Sequence, residues 1–280
     1  MERKTLKEKN KNCRKGRISG KKTLLLLCLL PCLLFGCAKA PGINTEGEES
    51  QGDKLLEAGS YQEAADLYQQ KIDGGEGSEE NYRRLGIAWM GLGDYNKAAA
   101  AFETALSEAG IVPGDTEYDI NYYLGSCYDK LGDYEAALKV YDAIVTLRPK
   151  DADAIELRGA VKMQMGDTDG MQEDFSKSIA LEPSNYDRLL SVYSAMSQNG
   201  YDTEGKVYLQ NALDKYSDSM SSYDRGRIAY YVGDYETART NLEQMQSNTD
   251  EKVVLMLGRT YEALGDFNYA TNVYKTFLSS

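Results

Sequence analysis

The segment that decides the fold is residues 124–137, which have the sequence LGSCYDKLGDYEAA. A glycine and an aspartate stand between two apolar-periodic stretches, and an aromatic residue follows them. Glycine adopts the left-handed conformation that ends a helix, and an aspartate side chain can accept hydrogen bonds from the free N–H groups of the next helix. The segment therefore predicts a helix, a tight turn and a second helix. The combination occurs at Gly93-Asp94-Tyr95, Gly132-Asp133-Tyr134, Gly233-Asp234-Tyr235 and Gly265-Asp266-Phe267.

Weaker copies of the turn complete a regular series along the chain. They are Gly59-Ser60-Tyr61, Gly166-Asp167-Thr168 and Gly200-Tyr201. Successive turn glycines are 34, 39, 34, 34, 33 and 32 residues apart. A sequence period of about 34 residues is typical of a solenoid built from stacked helical hairpins.

Small and large residues recur at fixed places around these turns. A small residue follows the aromatic position by three residues at Ala64, Ala98, Ala137, Ala238 and Ala270. A large residue stands four positions further on, at Tyr68, Phe102, Tyr141, Leu242 and Tyr274. Trp89, Tyr128 and Tyr261 each precede a turn glycine by four residues. Because helical residues four apart share a face, we expect these three aromatic side chains to be buried against the partner helix.

The whole pattern resembles the tetratricopeptide repeat over residues 45–280. The resemblance implies an all-α fold, a right-handed superhelical solenoid of about seven helix-turn-helix repeats. Repeat 4 departs most from the family pattern, at Arg158, Lys162, Thr168 and Met171. The expected repeats are 45–78, 79–117, 118–151, 152–185, 186–218, 219–250 and 251–280.

The resemblance also implies a concave groove, lined by the first helix of each repeat, that binds extended or helical peptide segments. Tyrosine and arginine often anchor interfaces because they combine a large contact area with a polar tip. An alternative is that individual tyrosines in the set pack between neighbouring repeats. The groove positions of the family correspond here to Glu80, Arg83, Ile87, Met90, Asp119, Tyr122, Ser126, Asp129, Tyr223, Arg227, Tyr230 and Tyr231. We expect Arg83 and the four tyrosines to be exposed on one continuous surface.

The N-terminus has the pattern of a targeting segment. Ten basic residues within 1–23 precede an apolar run over 24–35. This run is too short to span a bilayer, which requires about 20 apolar residues in a helix. The following Leu34-Phe35-Gly36-Cys37 resembles the bacterial lipobox. It implies a signal peptide over 1–36, a lipid on Cys37 and a tether over 37–47, with the chain on the extracytoplasmic face of the cell membrane.

The alternatives to a lipoprotein are a plain signal peptide cut at Ala38 or Ala40 and an uncleaved anchor. The charge of the chain depends on this assignment. The full chain has a formal charge of −12, whereas residues 37–280 hold 22 Lys and Arg and 42 Asp and Glu, a charge of −20. Such an acidic domain disfavours nucleic acid as a partner and leaves open attraction to a basic protein segment.

Several kinds of chemistry are disfavoured by composition. The chain has no histidine, which removes Ser-His-Asp and Cys-His catalysis and histidine-ligated zinc. Cys127 is the one cysteine left in the expected mature domain beyond the lipid site, and its place in the pattern predicts a small core residue. We expect no catalytic residue, metal or cofactor.

These features favour a membrane-anchored interaction protein, a scaffold or assembly factor of the bacterial envelope that binds partner segments in its groove. The alternative is a surface lipoprotein that binds a small solute or a glycan. A closed pocket would favour the alternative, whereas an open solenoid offers a long groove.

Overall fold

The computed structural model describes residues 51–110, 114–245 and 250–279. The described residues form α-helices joined in antiparallel pairs, with a 3₁₀ turn at Ser217–Ser219. The pairs are α1 (Gln51–Glu57) with α2 (Tyr61–Asp73), α3 (Glu79–Gly91) with α4 (Tyr95–Glu108), α5 (Asp115–Lys130) with α6 (Tyr134–Leu147), α7 (Ala152–Gln164) with α8 (Thr168–Leu181), α9 (Tyr186–Gln198) with α10 (Asp202–Tyr216), α11 (Ser222–Val232) with α12 (Tyr235–Glu243), and α13 (Glu251–Ala263) with α14 (Phe267–Leu278). The expected signal peptide over 1–36, Cys37 and the tether over 37–47 lie outside the described residues.

The helix pairs stack in chain order to form a solenoid. Each first helix packs against the second helix of its own pair, and that second helix packs against the next pair. The first helices α3 and α5, and likewise α11 and α13, also contact each other directly. Over the residues that the structure describes there is no β-strand. The predicted all-α helical-repeat solenoid is therefore confirmed, while its right-handed superhelical sense stays a prediction.

The turns have the conformation that the sequence predicted. Gly93 and Gly132 have φ values of +76° and +73°, in the left-handed region that side chains other than glycine rarely adopt. The Asp94 carboxylate accepts a hydrogen bond from the Lys97 N–H at 3.1 Å, and Asp133 accepts one from the Ala136 N–H at 3.1 Å. Glycine thus ends one helix, and the aspartate begins the next by satisfying an N–H group without a partner inside the helix.

The two helices of a pair approach closely where a glycine faces an aromatic ring. A Cβ atom added to Gly125 would lie 2.7 Å from Cζ of Tyr141, and one added to Gly86 would lie 2.6 Å from Cε1 of Phe102. Both rings are almost fully buried. The small residue Ala137 is also fully buried, as are its equivalents at the start of each second helix. The recurring small residues therefore let the two helices of a pair approach closely, and the large side chains fill the space between them.

Repeat 4 packs as a helix pair despite its departures from the pattern. Asp174 on α8 is 1% exposed and forms ion pairs with Arg158 at 2.6 Å and with Lys162 at 2.8 Å, both on α7. Asp174 also raises the pKa of Arg158 through its hydrogen bonds to the guanidinium. Met171 is fully buried where other repeats have alanine. In repeat 4, a buried carboxylate thus neutralises two cations at positions where the family pattern has apolar side chains.

The aromatic residues ahead of the turns are buried to different degrees. Tyr261 is 4% exposed, as predicted, and its hydroxyl donates to Glu243 at 2.7 Å. For Trp89 and Tyr128 the prediction of burial is wrong, because both are half-buried. The Tyr128 hydroxyl reaches out to Glu103, and the Lys97 ammonium lies 3.9 Å from the centre of the Trp89 ring. Their polar partners stand at the edge of the pair and keep both side chains partly accessible.

Candidate functional site

The candidate site lies on the surface formed by the first helices α3, α5, α7, α9, α11 and α13, here called the first-helix face. All twelve sequence-predicted groove residues lie on α3, α5 or α11. The prediction that Arg83, Tyr122, Tyr223, Tyr230 and Tyr231 are exposed is wrong, because each is half-buried. Among the twelve, Asp119 is exposed, and the others are half-buried. Contacts with neighbouring repeats account for the difference.

In repeats 2 and 3 the predicted residues hold adjacent helices together. The Arg83 guanidinium pairs with Asp119 on α5 at 2.8 Å and with Glu80 on its own helix at 3.7 Å. Burial raises the pKa of the Tyr122 hydroxyl, and Asp151 at the start of α7 adds to this rise. The polar groups of Arg83 and Tyr122 therefore interact with residues of the following repeat.

The remaining predicted residues of repeats 2 and 3 are two apolar residues on α3 and two polar residues on α5. Ile87 and Met90 pack against the main hydrophobic core from α3. Ser126 and Asp129 follow on α5 and are half-buried. Burial raises the pKa of the Asp129 carboxyl, an effect that Lys130 partly opposes.

The four predicted residues on α11 form a cluster in which Arg227 contacts the Tyr223 ring and Tyr230 contacts Tyr231. Arg227 pairs with Asp187 on α9 at 2.5 Å and with Asp224 at 2.6 Å, and it lies 5.1 Å from the centre of the Tyr223 ring. Tyr230 and Tyr231 meet edge to face, with ring centres 5.3 Å apart. This packing fixes the side chains before any ligand arrives, which lowers the entropy cost of binding.

A cavity of about 430 Å³ opens beside this cluster. It is formed by three successive first helices, because α9, α11 and α13 all contribute to its lining. The lining residues are Leu190, Tyr193, Ser194, Ser197, Gln198, Tyr223, Arg227, Tyr231 and Met256. Three of the twelve predicted residues therefore line this cavity. Tyr230 is not among the lining residues, but its ring contacts that of Tyr231.

Sequence reasoning missed the contribution of α9 and α13 to the cavity. Leu190, Ser194 and Ser197 precede their turn glycine, Gly200, by ten, six and three residues. Arg83, Ile87 and Met90 have the same offsets from Gly93. Applying these offsets to repeat 5 would therefore have identified Leu190, Ser194 and Ser197. Met256 could not have been identified in this way, because none of the predicted residues has its offset from a turn glycine.

One side of the cavity is held by a partly buried hydrogen-bond network. The hydroxyls of Tyr193 and Ser197 both donate to Asp202 on α10, each at 3.0 Å. Asp202 is paired in turn with Lys206 at 2.9 Å. Burial and the bond to Asp202 raise the pKa of Tyr193. The Tyr193 ring is thereby locked against the cavity, and its centre lies 5.5 Å from that of Tyr231.

Comparison with known proteins agrees with this architecture. Residues 83–152 match the family model described as tetratricopeptide repeat. That segment consists of tetratricopeptide repeats. It contains most of α3, all of α4 to α6, and the predicted groove positions of repeats 2 and 3 except Glu80.

Individual proteins resemble this chain at low identity. The BBSome complex member BBS4 of Bos taurus is 22% identical over 147 residues, which are 52% of this chain and 27% of that protein. The chain thus matches about a quarter of the length of this curated relative. The structure of MamA from Desulfovibrio magneticus RS-1 is 22% identical with a TM-score of 0.50, covering 61% of this chain and 93% of that one. A tetratricopeptide repeat protein from Parabacteroides merdae is 17% identical with a TM-score of 0.49, covering 82% and 90%.

Among the described residues, no set of three or more histidine, cysteine, aspartate or glutamate side chains is arranged to hold a metal ion. Within the same ranges, every helix falls short of the length and apolar character that crossing a membrane requires. Cys127 is fully buried, and burial raises the pKa of its thiol to about 11. Its predicted place in the core is confirmed.

Proposed function

We propose that this chain is a lipid-anchored, extracytoplasmic scaffold or assembly factor of a bacterial envelope, which holds segments of other proteins on its first-helix face. The observation that carries the proposal is the cavity shared by α9, α11 and α13. A segment lying across three successive helices contacts several repeats at once. Solenoid proteins use their extended surfaces to bind ligands across several repeats.

The chemistry of the cavity suits a protein segment. Tyr223, Tyr231 and Arg227 belong to the residue types that dominate the binding energy of protein interfaces. Ser194 and Gln198 are exposed on the same surface and can hydrogen-bond to a peptide backbone. Because ring contacts and ion pairs already hold the tyrosines and the arginine, little side-chain freedom is lost on binding.

The membrane anchor in this proposal rests on the sequence LFGC at residues 34–37. A diacylated cysteine holds a protein at a membrane far more firmly than a single acyl chain does. We expect Cys37→Ala to leave an uncleaved or soluble product. Detergent partitioning and intact mass test this, and a mature chain that begins at Ala38 or Ala40 without lipid would refute the anchor.

A basic partner is the finer part of the proposal. The formal charge of −20 over residues 37–280 attracts cationic segments and speeds their encounter at low salt. Partner capture should therefore weaken as salt rises. A capture that is insensitive to salt would argue against a basic partner while leaving the scaffold role intact.

A small solute or a glycan is the second candidate ligand. The cavity volume of about 430 Å³ lies within the range of about 300–1,000 Å³ that is typical of small-molecule sites. The opening of the cavity along three helices favours an elongated ligand over a compact one. A sugar or solute that displaces a bound peptide from the cavity would favour the second candidate.

Site-directed photo-crosslinking in cells tests the scaffold role. A photoreactive residue at Ser194 lies beside the cavity, while one at Glu173, exposed on the second helix α8, serves as the matched control. We expect a discrete protein adduct from Ser194 and none from Glu173. Adducts of equal yield from both positions, or adducts from Glu173 alone, would refute a role for the first-helix face.

A further inference from the structure

In repeat 5 the close contact between the two helices of the pair is reversed. In the other six repeats a glycine of the first helix, seven positions ahead of the turn glycine, faces a large side chain of the second helix, as Gly125 faces Tyr141. Repeat 5 has Tyr193 at this position of α9. The glycine lies on α10 instead, where a Cβ added to Gly205 would be 3.1 Å from Cδ2 of Tyr193. The aromatic ring of this pair therefore belongs to the first helix.

The second helix of repeat 5 has changed to match. Gly205 stands at the position that Ala137 has in repeat 3, and Leu209 stands at the position of Tyr141. Leu209 is fully buried, and Tyr193 is 8% exposed. Because protein interiors are closely packed, the smaller residues on α10 provide the space that the Tyr193 ring needs. The exchange brings a large ring to the side of the pair that borders the first-helix face.

This ring forms part of the cavity between α9, α11 and α13. Tyr193 and Tyr231 both line the cavity, and their ring centres lie 5.5 Å apart. Tyr223 adds a third ring, and Met256 adds a thioether from α13. Aromatic rings attract one another in offset and edge-to-face arrangements, and a methionine sulfur makes favourable contacts with ring edges. The lining therefore favours an aromatic side chain over an aliphatic one of the same size.

The charge in the lining is already neutralised within the protein. Of the described residues that line the cavity, Arg227 is the one that carries a charge. Its guanidinium pairs with Asp187 at 2.5 Å and with Asp224 at 2.6 Å. A charged ligand group would lose its water here without gaining an unpaired opposite charge, which is unfavourable. The lining therefore favours an uncharged side chain.

From this arrangement we propose that the cavity is an anchor site for one uncharged aromatic side chain of a partner segment, and that the reversed pairing of Tyr193 with Gly205 makes repeat 5 the anchoring repeat. The proposal rests on the proposed function and adds the chemical class of the side chain that is bound. The bound ring contacts Tyr193, Tyr231 and Met256. A cyclohexyl group fills the same space but lacks the ring-to-ring attraction.

Methyl NMR of the full chain, with its methionine methyl groups labelled, tests this proposal with defined probes. The probes are acetyl-phenylalanine amide, acetyl-cyclohexylalanine amide and acetyl-4-carboxyphenylalanine amide. The Met256 methyl reports on the cavity, and the fully buried Met171 of repeat 4 is the internal control. We expect the phenylalanine probe to shift Met256 saturably. The cyclohexyl probe should bind about fivefold more weakly, although it is the more hydrophobic, and the carboxylated probe about tenfold more weakly.

Variants of repeat 5 test the role of the reversed pairing. The triple variant Y193G/G205A/L209Y gives repeat 5 the residues that repeat 3 has at these positions, so the helix pair is expected to fold. Circular dichroism checks the folding, and the response of Met256 to the phenylalanine probe should be lost. Tyr193→Phe is the conservative control, because it keeps the ring and loses only the hydroxyl that donates to Asp202. This variant should retain the preference for the aromatic probe.

A variant on α11 gives a readout that does not depend on repacking repeat 5. Tyr231→Leu replaces one ring of the lining by an aliphatic side chain. The phenylalanine and cyclohexyl probes should then bind with affinities within about twofold of each other. A preference that survives this substitution unchanged would overturn the proposal.

Three results on other samples would also overturn it: equal binding of the phenylalanine and cyclohexyl probes to the natural chain, equal shifts of Met256 and Met171, or a folded triple variant that binds the phenylalanine probe as tightly as the natural chain. A Ser194 adduct without a Met256 response would refute the anchor site and leave the scaffold role standing. A saturable Met256 response with the expected preference but no Ser194 adduct would support the aromatic site and refute the scaffold role.

Discussion

Replacing Asp174 by asparagine should destabilise repeat 4 strongly. The Asp174 carboxylate is the buried partner of two cations on α7, with Arg158 at 2.6 Å and Lys162 at 2.8 Å. Their side chains are 17% and 16% exposed, so water can solvate the freed charges only in part. Asparagine has nearly the same shape as aspartate but carries no charge. The substitution therefore tests the charge and not the packing.

The size of the effect follows from the burial. Removing one member of a buried ion pair typically costs about 3–5 kcal/mol because the remaining charge is left uncompensated. Arg158 keeps a second partner, Asp142, at 2.9 Å, which places the expected loss near the lower end, at about 3 kcal/mol. For a domain of this size, a loss of that order lowers Tm by about 10 °C.

A second variant separates the ion pairs from the fold. At the three positions equivalent to Arg158, Lys162 and Asp174, repeat 3 has Leu124, Tyr128 and Val140. The triple variant R158L/K162Y/D174V gives repeat 4 this apolar pattern. It should be at least as stable as the natural chain, because well-packed apolar residues often replace a buried ion network without loss. The new tyrosine could reach Asp142, just as Tyr128 reaches Glu103.

Thermal and urea unfolding followed by far-UV circular dichroism measure both effects. Asp142→Asn is the matched control, since Asp142 is 52% exposed and its loss should cost about 1 kcal/mol or less. Equal Tm values for the Asp174 and Asp142 variants would refute the reasoning. So would a triple variant that is no more stable than Asp174→Asn.

Three further predictions follow from individual side chains. Gly125→Ala should lower the free energy of unfolding by about 1 kcal/mol net, because the new Cβ would lie 2.7 Å from Tyr141. Gly110→Ala is the control, since a Cβ at Gly110 would have nothing within 4 Å and should not lower the free energy of unfolding. Equal urea midpoints for the two variants would contradict this prediction. The Cys127 thiol, with a pKa near 11, should resist alkylation at neutral pH until denaturant is added, and peptide mapping that finds it modified in the native chain would contradict its burial. Burial and Glu243 raise the pKa of Tyr261 from 10.0 to about 12, so its neutral hydroxyl stabilises the fold below pH 10, and this contribution is lost as pH rises towards 12. Tyr261→Phe should therefore reduce the alkaline loss of stability in pH-dependent melts, and an unchanged loss would contradict this.

The regular parts of the fold could be predicted from the sequence because they depend on local chemistry. A turn glycine such as Gly132 and the aspartate after it act within a few residues of each other. The pairing of Gly125 with Tyr141 follows from a fixed spacing that every regular repeat shares. Both features repeat, and repetition makes a weak local pattern recognisable.

The features that the sequence did not predict depend on contacts between helices or between repeats. Asp174 compensates Arg158 across two helices, and the sequence alone marked Arg158 simply as a departure. The exposure of Tyr122 was overestimated because its side chain packs against the hydrophobic core that repeats 2, 3 and 4 share. The cavity was missed in part because Met256 reaches it from the following repeat. Each of these features is set by how repeats stack, which a single repeat does not specify.

The most direct test of the central claim begins with the segment that crosslinks to Ser194. That segment is synthesised, and its affinity for the full chain and for Tyr231→Ala is measured by isothermal titration calorimetry. Tyr231 lines the cavity, and its loss should weaken binding at least tenfold, equivalent to about 1.4 kcal/mol or more, at a temperature where circular dichroism shows the variant to be folded. An affinity that Tyr231→Ala leaves unchanged would contradict the claim that partner segments bind in the cavity of the first-helix face.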